Sequence, residues 1–181
     1  MEFISTELQD VYIIKCVRHG DARGYFSETF RKDEFEKVVG AVDFVQENES
    51  MSRRGVVRGL HYQAGDKAQA KLVRVTHGRV VDVAVDLRRN STTYGHHIAV
   101  ELSEENGLAL YVPRGFAHGF MVLSETARFE YKVDNYYCPS AERCIRFDDP
   151  ELAIEMQLPA SEAIFSEKDR RGVSFAEAEK F

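Results

Sequence analysis

The stretch that decides the fold class is Val80-Val81-Asp82-Val83-Ala84-Val85-Asp86-Leu87. Its apolar side chains recur at every second position, which is the period of a β-strand. In a strand, one face carries Val81, Val83, Val85 and Leu87, and the other carries Asp82, Ala84 and Asp86. The pattern therefore predicts a β-strand over this stretch.

Similar short runs, rich in β-branched and aromatic residues, lie on both sides of it, at residues 11–17, 70–76, 97–102, 109–112, 120–123 and 127–133. Gly78 separates the preceding run from the opening stretch at a spacing typical of a hairpin. Many short strands at intervals of roughly 8–12 residues are typical of a sandwich or barrel. We therefore predict an all-β protein with a jelly-roll architecture.

Helices are predicted to be few and short. Residues 32–39 place Phe35, Val38 and Val39 on one side, and Gly40 is a natural stop. The charged tail, residues 162–181, predicts no more than one or two helical turns. Because no repeat, low-complexity tract or linker divides the chain, residues 1–181 are expected to form a single domain.

The composition excludes several classes of function. The chain has 181 residues, of which 44% are hydrophobic and 30% charged, and its net charge is −6. No apolar run approaches the ~18 residues of a membrane span, and the N-terminus lacks the basic region of a secretory signal. Three scattered cysteines do not form a disulfide framework. We therefore expect a cytoplasmic protein that binds neither a membrane nor nucleic acid, which would require a basic surface.

One segment departs from this acidic average. Residues 50–74 contain six Lys and Arg residues against the single acid Asp66, and His61 lies among them. A local excess of positive charge attracts anionic ligands even on an acidic protein. This segment is therefore where an anionic small molecule is expected to bind.

A metal site is not predicted. Barrel metal sites usually need two His residues separated by one residue, so that both lie on the same strand face, and a carboxylate a few residues further on. His61 and His118 each lack such a partner, and the adjacent His96 and His97 would point to opposite faces of a strand. We therefore do not expect a metal at these histidines.

Acid–base chemistry fits the polar segments at residues 20–30, 46–50, 55–63 and 113–120 better. Histidine is the commonest general base, and a carboxylate partner fixes its tautomer. The candidate bases are His61 and His118, the candidate partners are Asp82, Asp86 and Asp169, Tyr131 is a candidate acid, and Lys71 is a candidate for stabilising an oxyanion. Taken singly, each is more common as an ordinary core or surface residue.

Arg58 and His61 can share a strand face only if the strand is irregular. Arg58 and His61 are three positions apart, so a regular strand would turn them to opposite faces. A β-bulge inserts one residue and restores a common face. A bulge near Gly59 would therefore bring Arg58 and His61 together.

Seven stretches together carry a family resemblance: residues 21–28, 57–63, 71–74, 82–88, 113–120, 131–132 and 166–169. In their residues, order and spacing, from about residue 2 to 170, the chain resembles the dTDP-4-dehydrorhamnose 3,5-epimerases. The resemblance implies a cupin-like double-stranded β-helix jelly roll. It also implies a cofactor-independent isomerase that converts dTDP-4-dehydro-6-deoxyglucose to dTDP-4-dehydro-L-rhamnose, by removing protons at C3 and C5 to give an enolate.

The resemblance also assigns roles to residues. It implies that His61 is the base with Asp169 as its partner, that Tyr131 returns a proton to the opposite face, and that Lys71, with Arg58, stabilises the enolate. His118 and Asp82 would line the pocket. Arg23 and Arg58 would bind the diphosphate, and the nucleoside would be surrounded by Glu28, Gln46, Asn48, Tyr137 and Lys168.

Three further expectations follow from the resemblance. The family is typically a homodimer in which N-terminal strands extend the partner's sheet, with residues 11–14 as a candidate edge strand. The C-terminal tail would close the site. Met156 stands where relatives often have an aromatic residue, which leaves the identity of the nucleotide open.

Two other functions remain open from sequence. One is a 3-epimerase or 5-epimerase that acts at a single centre of a related nucleotide sugar. The other is a jelly roll of the same kind that binds a small ligand or a metal without epimerase activity.

Overall fold

The computed structural model describes residues 1–181 as strands joined by turns, with two short α-helices. In chain order the elements are β1 (Glu2–Ser5), β2 (Tyr12–Lys15), β3 (His19–Asp21), β4 (Gly24–Phe26), α1 (Lys32–Val39), β5 (Gln46–Arg53), β6 (Val57–Gln63), β7 (Lys71–His77), β8 (Arg79–Asp86), β9 (His97–Ser103), β10 (Leu108–Val112), β11 (Phe116–Val122), β12 (Thr126–Val133), β13 (Glu142–Cys144) and α2 (Glu167–Arg170). Neither helix has the length and apolar character that crossing a bilayer requires.

The strands form two antiparallel sheets and a separate hairpin. The first sheet has the order β1-β2-β10-β7-β12-β5, and the second has the order β13-β6-β11-β8-β9. Strands β3 and β4 pair only with each other and form what we call the N-terminal hairpin. The two sheets pack face to face, which confirms the predicted all-β jelly roll.

The interior of the jelly roll lies between the two sheets. Val73 and Phe129 of the first sheet belong to the same buried cluster as Ala84 and Phe120 of the second. The rings of Phe120 and Phe129 stack with centroids 4.2 Å apart. Stacked aromatic rings contribute about 0.5–1.5 kcal/mol beyond their burial, so this pair helps to hold the sheets together next to the site.

Strand β8 is buried on both faces, and it alternates because its inward face carries buried acids. Val81, Val83 and Val85 face outward and pack in a cluster with C-terminal residues such as Phe147. The opposite face points to the interior and places Asp82 there with no exposed surface. An acid fully buried between two sheets needs a polar partner, so the strand itself marks where polar chemistry lies.

Most of the predicted elements are confirmed, and the differences have physical causes. The helix over residues 32–39 has the predicted bounds. Strand β5 was not predicted, because its inward side chains are polar and no apolar alternation reveals it. The tail forms only one short α-helix, α2, and much of the remaining C-terminal segment covers the outer face of the second sheet.

The prediction of an edge strand at residues 11–14 is wrong. Strand β2 lies between β1 and β10, because all four residues of β1 pair with it. The free edges of the first sheet are β1 and β5. A contact that extends this sheet would therefore use Glu2–Ser5 or Gln46–Arg53.

Candidate active site

A cavity of about 280 Å³ opens between the two sheets. Its lining includes seven residues singled out from sequence, which are Arg58, His61, Lys71, His118, Tyr131, Tyr137 and Lys168. It also includes Glu142, which was not singled out. The second sheet supplies His61 on β6, and the first sheet supplies Tyr131 on β12. The two side chains therefore reach the cavity from opposite walls.

His61 is held by a carboxylate from the C-terminal segment. Its Nε2 lies 2.6 Å from Oδ1 of Asp169, which is the third residue of α2. Ser166 caps α2, since its Oγ accepts the N–H of Asp169 at 3.1 Å and donates to Oδ2 at 2.6 Å. Both carboxylate oxygens are thus fixed, and the second ring nitrogen of His61 is left to take a proton.

The charge of Asp169 is maintained although its side chain is only 5% exposed. Burial raises the pKa of this carboxyl, but the hydrogen bonds from His61 and Ser166 outweigh burial and hold the pKa below its usual range. An ionised Asp169 stabilises the imidazolium that forms when His61 accepts a proton. This pair therefore has the arrangement of a general base.

The bulge that brings Arg58 and His61 to a common face is present. His118 pairs with His61 and Phe120 with Arg58, so three steps along β6 match two along β11. The bulge lies at Gly59, where φ is +122° and an added Cβ would approach the Cα of Gly119 to 2.6 Å. Glycine is required by both the backbone conformation and the close approach of the two strands. As a result, Arg58 and His61 both face the cavity.

His118 and Asp82 form a second, deeper pair. Nε2 of His118 lies 2.9 and 3.0 Å from the two oxygens of Asp82, and both side chains are buried. Burial lowers the pKa of His118 and raises the pKa of Asp82. The charge of Asp82 partly opposes the shift of His118, and the charge of His118 partly opposes the shift of Asp82. Among the carboxylates left open by the sequence, Asp86 is excluded as a partner, since it binds Arg88, Ser91 and Thr93 instead.

Lys71 lies at the start of β7 and is buried beside the base. Its Nζ donates to the backbone carbonyl of His61 at 3.3 Å. Burial lowers the pKa of Lys71 to about 8, while the charges of Asp82 and Glu142 act in the opposite direction. A buried ammonium with a lowered pKa is suited to stabilising negative charge that develops nearby.

Tyr131 is available as a proton donor. Burial raises the pKa of its phenol, and the positive charge of Arg58 partly opposes this shift. The hydroxyl is therefore protonated at neutral pH. Its ring packs against Phe129 at a centroid distance of 6.2 Å and pairs across strands with Asn48, so the side chain is fixed in the wall.

Glu142 organises the rim and was missed from sequence. Its two carboxylate oxygens accept from Nζ of Lys168 at 2.5 Å and from the hydroxyl of Tyr137 at 3.1 Å. Gln46 joins the same rim, because its Oε1 accepts the N–H of Tyr137 and its Nε2 donates to Asn48. Glu142 begins a strand of only three residues, which is too short to give a pattern in the sequence.

Arg23, Glu28 and Met156 were singled out from sequence but lie outside the cavity. Arg23 is on the N-terminal hairpin, exposed and paired with Asp21. Glu28 is exposed in the segment that follows, and neither residue lines the cavity of its own chain. Met156 packs against the cluster outside the second sheet, so it does not line the cavity where a nucleotide would bind.

The fold and this site define an acid–base isomerase built on a cupin-like jelly roll. The family model described as dTDP-4-dehydrorhamnose 3,5-epimerase matches residues 5–177. A dTDP-4-dehydrorhamnose 3,5-epimerase from Pseudomonas aeruginosa is 50% identical over 175 residues, which cover 96% of each chain. The chain therefore belongs to the dTDP-4-dehydrorhamnose 3,5-epimerase family.

Solved structures agree with this assignment. A dTDP-4-dehydrorhamnose 3,5-epimerase from Elizabethkingia anophelis superimposes with a TM-score of 0.96 at 49% identity, covering 100% of this chain and 99% of that one. A dTDP-6-deoxy-D-glucose-3,5-epimerase from Legionella pneumophila, solved in complex with dTDP-4-keto-L-rhamnose, gives 0.94 at 42% identity and covers 98% and 94%.

Proposed function

We propose that this protein converts dTDP-4-dehydro-6-deoxyglucose to dTDP-4-dehydro-L-rhamnose by inverting C3 and C5. The observation that carries the proposal is the placement of the His61–Asp169 pair and Tyr131 on opposite walls of one cavity. Inversion of a carbon requires that a proton leaves one face and another arrives at the other face. A base on the second sheet and an acid on the first sheet provide that geometry.

The chemistry follows from the ketone at C4 of the sugar. A proton on C3 or C5 is acidic, because the electron pair left behind is delocalised onto the C4 oxygen as an enolate. His61 takes this proton while Asp169 stabilises the imidazolium, and Lys71 stabilises the enolate oxygen. Tyr131 then donates its proton to the same carbon from the opposite face. Exchange with solvent restores His61 and Tyr131 before the second carbon reacts.

The nucleotide part of the substrate extends along the rim. Arg58 and Lys168 bring positive charge to the cavity, and such groups bind diphosphate oxygens through charge-assisted hydrogen bonds. Tyr137 is 51% exposed at the same rim, and an exposed ring is suited to stacking on a base. The rim therefore suits a nucleoside diphosphate.

Neither Arg23 nor Glu28 lines the cavity of its own chain, and we propose that they contribute to substrate binding from a second copy of the chain. The N-terminal hairpin that carries Arg23 exposes Tyr25 and Phe26 by 62% and 72%. Exposed aromatic side chains of this size are typical of contact surfaces. We therefore include a homodimer in the proposal, with the hairpin of one protomer reaching towards the cavity of its partner.

The proposed activity is tested by supplying dTDP-4-dehydro-6-deoxyglucose and identifying the product by NMR. We expect dTDP-4-dehydro-L-rhamnose, with the configuration changed at both C3 and C5. A product inverted at one centre only would favour the single-centre epimerase, and unchanged substrate would refute the epimerase proposal. The variant His77→Asn, which removes an exposed histidine outside the cavity, is a control and should form the same product as the unmodified protein.

The pH dependence of kcat/KM should report the state of Lys71. Because the pKa of Lys71 is lowered to about 8, the ammonium that stabilises the enolate is lost as the pH rises above this value. We expect kcat/KM to fall on the alkaline side with an apparent pKa near 8. Lys71→Arg should move this fall to higher pH, since a guanidinium stays charged. An unchanged alkaline limb in that variant would contradict the role of Lys71.

A further inference from the structure

Three side chains with metal-ligating atoms meet at the base of the cavity wall. They are His61, Asp169 and Cys144, whose donor atoms all lie within 4.8 Å of one another. Strand β13 places Cys144 directly opposite His61 on β6, and its Sγ lies 4.0 Å from Oδ1 of Asp169. The mechanism uses His61 and Asp169 but gives no role to Cys144.

The charges of this cluster favour a divalent cation. A bound divalent cation displaces the thiol proton of Cys144 and binds the thiolate. Thiolate and carboxylate then carry two negative charges beside a neutral imidazole, which matches the charge of one divalent ion.

The distances are close to those of a tetrahedral site. Zinc binds sulfur at about 2.3 Å and nitrogen or oxygen at about 2.0–2.2 Å, so its ligands stand about 3.3–3.6 Å apart. The separation of Nε2 and Oδ1 is 2.6 Å and that of Sγ and Oδ1 is 4.0 Å. These two separations would change by about 1 Å or less to accommodate the ion, and all three donor atoms already lie within 4.8 Å of one another. His61 is 29% exposed, which leaves the cavity side for entry and for a fourth ligand.

We propose that His61, Cys144 and Asp169 form an inhibitory site for Zn²⁺. On binding, the thiol proton is released to solvent, and the proton on Nε2 of His61 moves to the other ring nitrogen. No electrons are transferred. The imidazole then has no free nitrogen to accept a proton from the sugar, so the metal and the reaction exclude each other. The inhibition rests on the proposed role of His61, whereas the binding of the metal does not.

Binding is tested with Co²⁺ as a spectroscopic substitute for Zn²⁺ on the full-length protein. A cobalt–thiolate bond gives a charge-transfer absorption in the near ultraviolet. We expect this absorption at one equivalent of Co²⁺, its loss on addition of Zn²⁺, and its absence from Cys144→Ala and Cys144→Ser. Cys138→Ala, which removes a half-buried thiol near the rim, is the matched control and should retain it. An absorption that persists without Cys144, or none in the unmodified protein, would overturn the site.

Inhibition is tested by titrating chelator-buffered Zn²⁺ into the epimerase assay, with each variant compared with its own zinc-free rate. We expect the inhibitory concentration to rise at least about 10-fold in Cys144→Ala, which is the lower end of the loss seen when a group supporting a metal site is removed. Cys138→Ala should be inhibited like the unmodified protein. Equal inhibition with and without Cys144 would contradict the proposal. Loss of the epimerase activity itself would leave the cobalt result to decide the metal site.

Discussion

Replacing His61 by asparagine should abolish epimerisation and proton exchange while the fold is retained. The asparagine amide can still donate a hydrogen bond to Oδ1 of Asp169, which lies 2.6 Å from the imidazole in the unmodified protein. The amide cannot accept a proton from carbon. Removing a general base costs about 10²–10⁴-fold in rate, and here the same base serves both carbons. We therefore expect a loss of at least about 10³-fold.

The measurement is the rate of deuterium uptake from D2O, with thermal unfolding as the check on the fold. Asp169 remains hydrogen-bonded to Ser166 at 2.6 Å in such a variant, so the unfolding temperature should change little. Exchange at the unmodified rate in a folded His61→Asn protein would show that another group is the base. His118 is then the alternative to examine, although it is 6% exposed and already paired with Asp82.

Replacing Tyr131 by phenylalanine should separate the two proton transfers. The variant keeps the ring that packs against Phe129 but loses the hydroxyl that donates to the far face. His61 can still form the enolate and return a proton to the face from which it came. Product formation should therefore fall by about 10²–10⁴-fold, while exchange of the substrate protons falls much less.

This separation is measured by following product and deuterium content in the same D2O reaction. Recovered substrate should carry deuterium with its configuration retained. If product formation and exchange fell together, Tyr131 would have no distinct role as the acid. Ser50→Ala is a suitable control, since it removes a different hydroxyl from the same cavity wall.

The fold was predictable from sequence where the apolar pattern is strong. Strand β8 alternates because its outward valines pack in a hydrophobic cluster while its inward face includes the buried acid Asp82. From sequence, the bulge at Gly59 was only the condition under which Arg58 and His61 share a face, and the pairing of β6 with β11 shows that it is met. Strand β5 was not predictable, since its inward residues serve the cavity and its rim and are therefore polar. A strand that lines a polar site can thus lack the apolar alternation by which strands are recognised in a sequence.

The site was less predictable, because it depends on contacts between distant parts of the chain. The pairing of His61 with Asp169 joins residues 108 positions apart, and only the family resemblance indicated it. Ser166 could have been found as a helix cap, since Ser166 and Asp169 have the spacing of a capping box. Glu142 had no such signal. The proposed positions of Arg23 and Glu28 depend on a second protomer, which no pattern within one chain can supply.

The central claim is that C3 and C5 are both inverted by removal and return of protons. It is tested most directly by running the unmodified protein in D2O and locating deuterium in the product by NMR and mass spectrometry. We predict one solvent deuterium at C3 and one at C5 of the epimerised sugar. An epimerised product that retains its original hydrogens at both carbons would contradict the account.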